Sequence, residues 1–187
     1  MSKRQLKPGC MLAPVPAALI SCADKDGNPN LITLAWVGTI NSEPPMLSIS
    51  VRESRYSYHM IQETGEFVVN LTTKDMVRMV DKCGVISGEK FDKWKESGFT
   101  QEDASVVNVP LVKESPVNIE CKVVEAKNLG SHVMFMAEVV AVDVDEKYFD
   151  EKDRLDMNKM DLVAYSHGSY LELGNVLGTF GYSVKKQ

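Results

Sequence analysis

Apolar and polar positions alternate along this chain in short runs, and most of the runs have the period of two that marks a half-buried strand. Val15 to Ala23 reads as a first strand, and the sequence DKDGNPN from Asp24 to Asn30 is a turn, with Asp26-Gly27 suited to a hairpin. Leu31 to Val37 and Met46 to Val51 read as two more strands, and Pro44 and Pro45, which cannot donate to a ladder, mark the connection between them. A helix should begin in the stretch from Arg52 to Ser57, continue through Tyr58 to Glu63 and stop at Gly65. Glu66 to Leu71 returns to strand. Lys74 to Lys82 spaces Met76, Val77, Met79 and Val80 as one face of an amphipathic helix, with the methionines read as core filler.

Residues 84–104 are polar and broken by glycines, which predicts a surface segment with only local helix. Beyond it, Val117 to Ala126 and His132 to Val144 form a hairpin around the turn Asn128 to Ser131. Tyr148 to Met160 is a charged linker or short helix, Asp161 to Tyr165 leads into a short strand, and the tail from Gly174 to Gln187 is expected to run extended or to pack on a partner. Many short strands, few helices and no alternation of strand and helix predict a mainly β, closed or partly closed Greek-key barrel with appended helices.

Chemistry concentrates between Asn30 and Ser57. A helix start carries unpaired N–H groups and a partial positive charge, and here Arg52, Arg55, Ser54 and Ser57 stand beside it, a combination suited to phosphate. Upstream, Thr33, Ala35, Trp36 and Thr39 offer small, polar and aromatic surfaces for a flat conjugated ligand. Together they suggest a nucleotide-like cofactor lying along the strands with its phosphate at the helix. A serine cap with surface arginines serving stability alone is the competing reading.

The ordered series Pro16-Ala-Ala-Leu-Ile-Ser21, Asp26-Gly-Asn-Pro-Asn30, Thr33-Leu-Ala-Trp36, Pro44-Pro45 and Ser48-Ile-Ser-Val51 resembles the flavin reductase-like family, flavoredoxins included, and Thr64-Gly-Glu-Phe-Val-Val-Asn70 is similar to the family's second landmark. The resemblance spans residues 10 to 175 and implies an FMN-binding split barrel of six strands, one domain over residues 1–187, with FMN as cofactor. It implies that Asn30 is a cofactor-binding residue, that Thr33, Leu34, Ala35 and Trp36 line the ring, that Ser50, Val51 and Arg52 follow the ribityl chain, and that Arg52, Arg55 and Ser57 take the phosphate. A lysine of the 84–104 segment, Lys93 with Lys90 in reserve, is expected at the ring edge, as is His132, whose Gly-Ser-His setting resembles a family pattern in which Ala137 replaces the usual glycine. Lys93 and His132 are the expected catalytic residues. Tyr165 is expected against the ring, with the following SHGSYLELG segment nearby. The resemblance further implies a homodimer.

Three functional classes stay open on the sequence. The chain could take hydride from NADH or NADPH, act as an electron carrier for a redox protein partner, or be a barrel that binds no flavin. A net charge of −5 over 187 residues argues against a nucleic-acid surface. The absence of a long apolar run argues against a membrane span, and the N-terminal residues lack the apolar core of a signal peptide, so a cytoplasmic location is expected. Cys10, Cys22, Cys83 and Cys121 are scattered and read as small hydrophobes, with Cys83 held open as a neighbour of the cofactor. His59, His132 and His167 lack metal-ligand spacing, no Gly-x-Ser-x-Gly elbow occurs, and the glycines at 174, 178 and 181 make no dinucleotide fingerprint.

Overall fold

A computed structural model of the chain describes residues 1–184; residues 185–187, the end of the expected extended tail, lie outside the described residues. In chain order the strands are β1 (Val15–Pro16), β2 (Ala18–Ala23), β3 (Pro29–Leu34), β4 (Val37–Ser42) and β5 (Pro45–Val51), after which helix α1 (Tyr56–Thr64) precedes β6 (Glu66–Leu71). Helices α2 (Val77–Val85) and α3 (Lys93–Ser97) follow, then β7 (Gln101–Glu102), β8 (Leu111–Val112), β9 (Val117–Asn128) and β10 (Val133–Val144). The hairpin β11 (Val163–Ser166) and β12 (Ser169–Glu172) completes the set.

Seven strands form one antiparallel sheet in the order β3-β2-β6-β9-β10-β5-β4. Its edge strands, β3 and β4, follow one another in sequence with only Ala35 and Trp36 between them. The sheet therefore has to curl until its edges meet, and the Trp36 carbonyl, which accepts from Ser50 N at 2.9 Å, ties the crossing to β5. Here the structure corrects the sequence reading. The expected single strand from Leu31 to Val37 is broken at Ala35–Trp36, and Val37 opens a further strand, β4, so that one stretch of chain supplies both edges of the sheet. Leu31 to Val37 contains no glycine, proline or other turn residue, so the pattern alone carries no sign of the break.

Period-two patterning decides what the barrel encloses. Ala18, Ile20 and Cys22 of β2, Ile49 and Val51 of β5 and Phe135 of β10 point inward with Phe67 and Val69, while α1 plugs one end with Met60 and Ile61. The outer face of β2 is covered as well. Leu19 and Leu31 pack beneath Met76 and the α2 residues Val80 and Cys83, alongside Trp94 of α3, and Ala23 and Val68 lie under Val107, Val109 and Leu111. That second cover is fastened by Glu120, fully buried, whose carboxylate accepts the N–H groups of Ser105, Val106 and Val107 at 2.7–2.8 Å.

Local chemistry sets the turns. The Asp24 carboxylate accepts from the backbone N–H of Asp26 and Asn28, and Gly27 takes the positive φ of 82° that closes the β2–β3 hairpin. The expected helix start resolves into a turn, with Arg55 N donating to Arg52 O at 2.9 Å, and α1 proper begins at Tyr56. Gly65, at φ 68°, ends the helix in the left-handed conformation. Among the described residues no helix is long and apolar enough to cross a membrane. Truncating Phe135, which has no exposed surface, to alanine should lower the unfolding free energy by about 3–5 kcal/mol in urea titrations; a change below about 1 kcal/mol would mean that the barrel interior is not packed as described.

Candidate functional site

Two adjacent cavities lie along the seam where the barrel edges meet. The larger, about 540 Å³, is walled by Thr33, Leu34, Ala35 and Trp36 from the β3–β4 crossing, Ser50 and Arg52 at the end of β5, and His132 at the start of β10, with Tyr165 and Tyr170 from the small hairpin. The smaller, about 80 Å³, lies between the start of α1 (Ser54 to Ser57) and the segment Ile86–Gly88, with Lys93 also at its wall. Ile32, Arg55 and Gly84 line both, so the two cavities are adjacent.

The small cavity is built for an anion. Arg55 occupies the N-cap position of α1 and makes no side-chain cap bond, so the first-turn N–H groups have no capping side chain. Ser57 is buried and its hydroxyl accepts from Asn30 Nδ2 at 2.8 Å, which fixes its position. Lys93, only 4 % exposed, donates to the Cys83 carbonyl at 2.7 Å from a three-donor ammonium. Burial holds the Lys93 ammonium below the usual lysine range, with nearby Arg55 pushing the same way against Cys83 and Cys22. No carboxylate lines this cavity, so an anionic group would meet two cationic side chains without a competing acid.

The large cavity is an aromatic and apolar slot with polar groups at its ends. Trp36, 45 % exposed, meets the His132 ring edge-on with centroids 4.4 Å apart, and Ser131 Oγ lies 2.8 Å from His132 Nδ1. Burial, then the Arg52 charge, lowers the His132 pKa from 6.5. On the opposite wall Tyr165 and Tyr170 pack edge-to-face at 5.4 Å, and Tyr170 Oη donates to Asp81 at 3.2 Å. Burial first and Asp81 second push the Tyr170 hydroxyl up to about 12. Asp81 is the only carboxylate on either cavity's lining among the described residues.

Most residues singled out in the sequence converge here, and three are reassigned. Lys93 lines the small cavity beside Arg55 and Ser57 rather than standing with His132 at the large one; Lys90 lines neither. Val51 points into the barrel core with no exposed surface, because period two sends Ser50 and Arg52 outward to the cavity and the residue between them inward. Asn30 lines neither cavity and acts from behind, through Ser57. Thr33 reaches the large cavity, yet its hydroxyl donates to the Val80 carbonyl of α2 and is already engaged.

Sequence reasoning missed Asp81 and the N-terminal residues Ala13 and Val15, which also line the large cavity, and held Gly84 open only together with Cys83. Asp81 looked like the solvated face of an amphipathic helix, and Ala13–Val15 carry no polar atom to mark them. Gly84 had a sign: a Cβ there would lie 3.3 Å from Thr33 Cβ, a close helix-to-strand approach that a glycine inside a helical pattern can mark. Cys83 turns its thiol into the core below α2 and contributes its carbonyl, while its neighbour Gly84 lines both cavities. Among the described residues no three His, Cys, Asp or Glu side chains converge as a metal site.

A curled antiparallel barrel with a cavity at its seam and a smaller basic cavity beside it at a helix start defines the class, a split barrel. The model of the flavin reductase like domain matches residues 11–174, and the chain belongs to that family. Its structure is similar to flavoredoxin of Desulfovibrio vulgaris (Miyazaki F), with a TM-score of 0.91 and 31% identity over 98% of this chain and 100% of that one. It is similar also to flavoredoxin from Methanosarcina acetivorans, with a TM-score of 0.89 and 32% identity over 99% and 100%. An uncharacterized protein of Archaeoglobus fulgidus is 35% identical over 66% of this chain and 70% of its own length.

The Arg52 contribution can be read directly. An NMR titration should put the His132 midpoint below the 6.5 of a free imidazole, and Arg52→Ala should raise it, since removing a neighbouring cation favours the protonated ring. An unmoved midpoint would show that Arg52 exerts no field on the ring.

Proposed function

We propose that this chain is a flavoprotein that holds FMN along the seam, with the ring in the large cavity and the phosphate in the small one, and that passes electrons through it. The observation that carries this reading is the adjacent pair of cavities. The larger has a volume within the roughly 300–1,000 Å³ of small-molecule sites, and the smaller is lined by Arg55 and Lys93 at an uncapped helix start. Trp36, Tyr165 and the backbone of Thr33 to Ala35 supply flat surfaces for a conjugated ring. Arg55 supplies a guanidinium that binds two phosphate oxygens at once, with Ser57 and Lys93 as further donors. A bound flavin supplies the redox chemistry itself. The protein's residues hold and orient it, and His132 and Arg52 set the charge beside it.

As a member of this family the chain is read as a reductase that takes its electrons from NADH or NADPH. The likeness of the whole chain to two flavoredoxins favours a second reading, an electron carrier that exchanges with a protein partner and reacts slowly with nicotinamides. Stopped-flow bleaching of the visible flavin band by NADH and NADPH separates the two: fast bleaching with either nucleotide supports the reductase, and bleaching too slow for turnover removes it.

The cofactor is tested first by absorption. The purified protein, loaded with FMN and desalted, should keep the bands of oxidised flavin; a colourless protein that retains no added FMN would refute the proposal. The double substitution Arg55→Ala with Ser57→Ala should weaken FMN by about tenfold or more, the loss of at least one charge-assisted hydrogen bond, and leave riboflavin, which has no phosphate, nearly unaffected. Equal losses for the two ligands would take the phosphate away from these residues.

A further inference from the structure

Two acids stand side by side on the outer face of the sheet, and neither lines a cavity. Glu120 of β9 lies opposite Ala141 of β10 and Asp143 opposite Asn118, so the two side chains are diagonal neighbours on one face. Glu120 has no exposed surface, and three N–H groups hold its carboxylate, Ser105 on Oε1 at 2.7 Å and Val106 and Val107 on Oε2 at 2.8 Å. Asp143 is half-buried. Its Oδ1 accepts from the Ser105 hydroxyl at 2.9 Å, while its Oδ2 is enclosed and has no donor. An enclosed carboxylate oxygen without a donor is unfavourable. What Asp143 does meet is the Glu120 carboxylate, and two carboxyl oxygens bond only through a proton.

The charged groups around the pair do not neutralise it. Glu102 of β7 adds a third acid, and Asp103 in the loop is exposed. The nearby lysines are engaged with other acids. Lys122 of β9 pairs with Glu66 of β6 at 3.3 Å and stands opposite Glu138 of β10, Lys113 pairs with Glu102 at 3.9 Å, and Lys147 pairs with Asp145 at 2.6 Å. Burial raises the Asp143 pKa from its ordinary value; the Ser105 hydroxyl opposes this, and the Glu120 contact with the Glu120 and Glu102 charges adds to it. Burial acts the same way on Glu120, but the N–H groups of Val107, Ser105 and Val106 outweigh it and hold that carboxyl below its ordinary value. The proton therefore belongs on Asp143 and the charge on Glu120.

We propose that Asp143 and Glu120 share one proton and act as a pH-sensitive clasp on the loop from Asp103 to Pro110. While the proton is present, Glu120 holds the loop's three N–H groups on the sheet with no second charge against it, and Asp143 holds Ser105. Val107, Val109 and Leu111 then cover Ala23 and Val68. Loss of the proton leaves two negative carboxylates in contact, and the repulsion is relieved when Asp143 turns to solvent with Ser105, which loosens the loop. Asp143, whose pKa is raised, contributes stability that is complete below its unfolded pKa and is lost as pH rises through its folded one. Glu120, whose pKa is lowered, contributes stability that is complete above its unfolded pKa and is lost as pH falls through its folded one. The clasp is tightest between the two midpoints and opens on the alkaline side through Asp143. The far end of the loop stays fastened by groups that do not titrate, since Ser21 Oγ donates to the Pro110 carbonyl at 2.7 Å and Val112 N donates to Asn70 Oδ1 at 3.0 Å.

Amide hydrogen exchange on the full chain reads the clasp, with each rate divided by that of an unstructured amide at the same pH. Protection of Val106 and Val107 should fall about fivefold or more as pH rises through the Asp143 titration, about the loss of one hydrogen bond. Val112, whose acceptor Asn70 does not titrate, should keep its protection. Asp143→Asn offers an oxygen to Ser105 and a permanent donor to Glu120, so Val106 and Val107 should stay protected across the same pH range. Carbon-13 NMR of the two carboxyl groups should give one midpoint above the ordinary Asp value and one below the ordinary Glu value. Protection without pH dependence, a pH dependence that survives Asp143→Asn, or two carboxyls that titrate independently at ordinary values overturns the proposal. Should circular dichroism show that Asp143→Asn does not fold, the carboxyl titration and the exchange of the unsubstituted protein decide. Neither acid nor the loop lines a cavity, so these readouts stand whether or not the protein takes up flavin.

Discussion

Strands β3 and β4 stand at opposite edges of a seven-stranded sheet, yet only Ala35 and Trp36 separate them in the chain. Two residues span at most about 7 Å of extended backbone, so the two edges are forced together and the sheet becomes a barrel. The crossing cannot itself sit in a ladder, and there the barrel surface opens. The residues on either side of it, Thr33 and Leu34 before and Val37 after, are committed to strands, while Ala35 and Trp36 are left to line the seam. The large cavity is therefore a consequence of closure, and the side chains around it are those that the closing strands bring to that edge. Ser50 and Arg52 arrive because β5 pairs with β4, and His132 because the start of β10 pairs with the end of β5, at Val133 opposite Val51.

The small cavity has a different origin and carries a different energetic balance. It lies where β5 turns into α1, and the wall opposite comes from a separate part of the chain, the segment after α2. Lys93 is the point of tension. A lysine buried to this degree is disfavoured in its charged form, and here burial does hold its pKa down. Its single carbonyl partner leaves two of its three donors for something else. An anion in the cavity would favour the charged form of Lys93 that burial disfavours. Sites built in this way give up some stability in the free protein for a preorganised binding geometry.

Legibility in the sequence follows from what kind of information each feature needs. The strands, the Asp24–Asn28 turn and the Gly65 helix stop rest on local chemistry, and local chemistry is written in adjacent residues. The basic, hydroxyl-rich start of α1 was legible for the same reason. The β3–β4 break was not, because Ala35 and Trp36 continue an apolar run without a turn residue and the break is imposed by pairing with strands elsewhere in the chain. Val51 shows how one register rule cuts both ways. The rule that brings Ser50 and Arg52 to the cavity removes their neighbour to the core, and applying it strictly to Met46–Val51 would have found this.

Lys93 illustrates the limit most clearly. Its position in a polar, glycine-broken stretch reads as solvent-facing, and an average lysine there would be. Its surroundings come from the fold: Gly88 packs on Asn30, far away in sequence, and Lys93 donates to the Cys83 carbonyl ten residues back, and neither contact has a local signature. Gly88 itself could pass for an ordinary turn glycine, since it follows Ser87 in a turn, yet its conformation makes no demand for glycine. The demand comes from the Asn30 amide across the fold. A glycine that a turn does not require is a sign that some other part of the molecule comes close at that point. In this barrel that point is the wall of the anion pocket, so the residue with no side chain carries as much of the site's geometry as the arginine facing it.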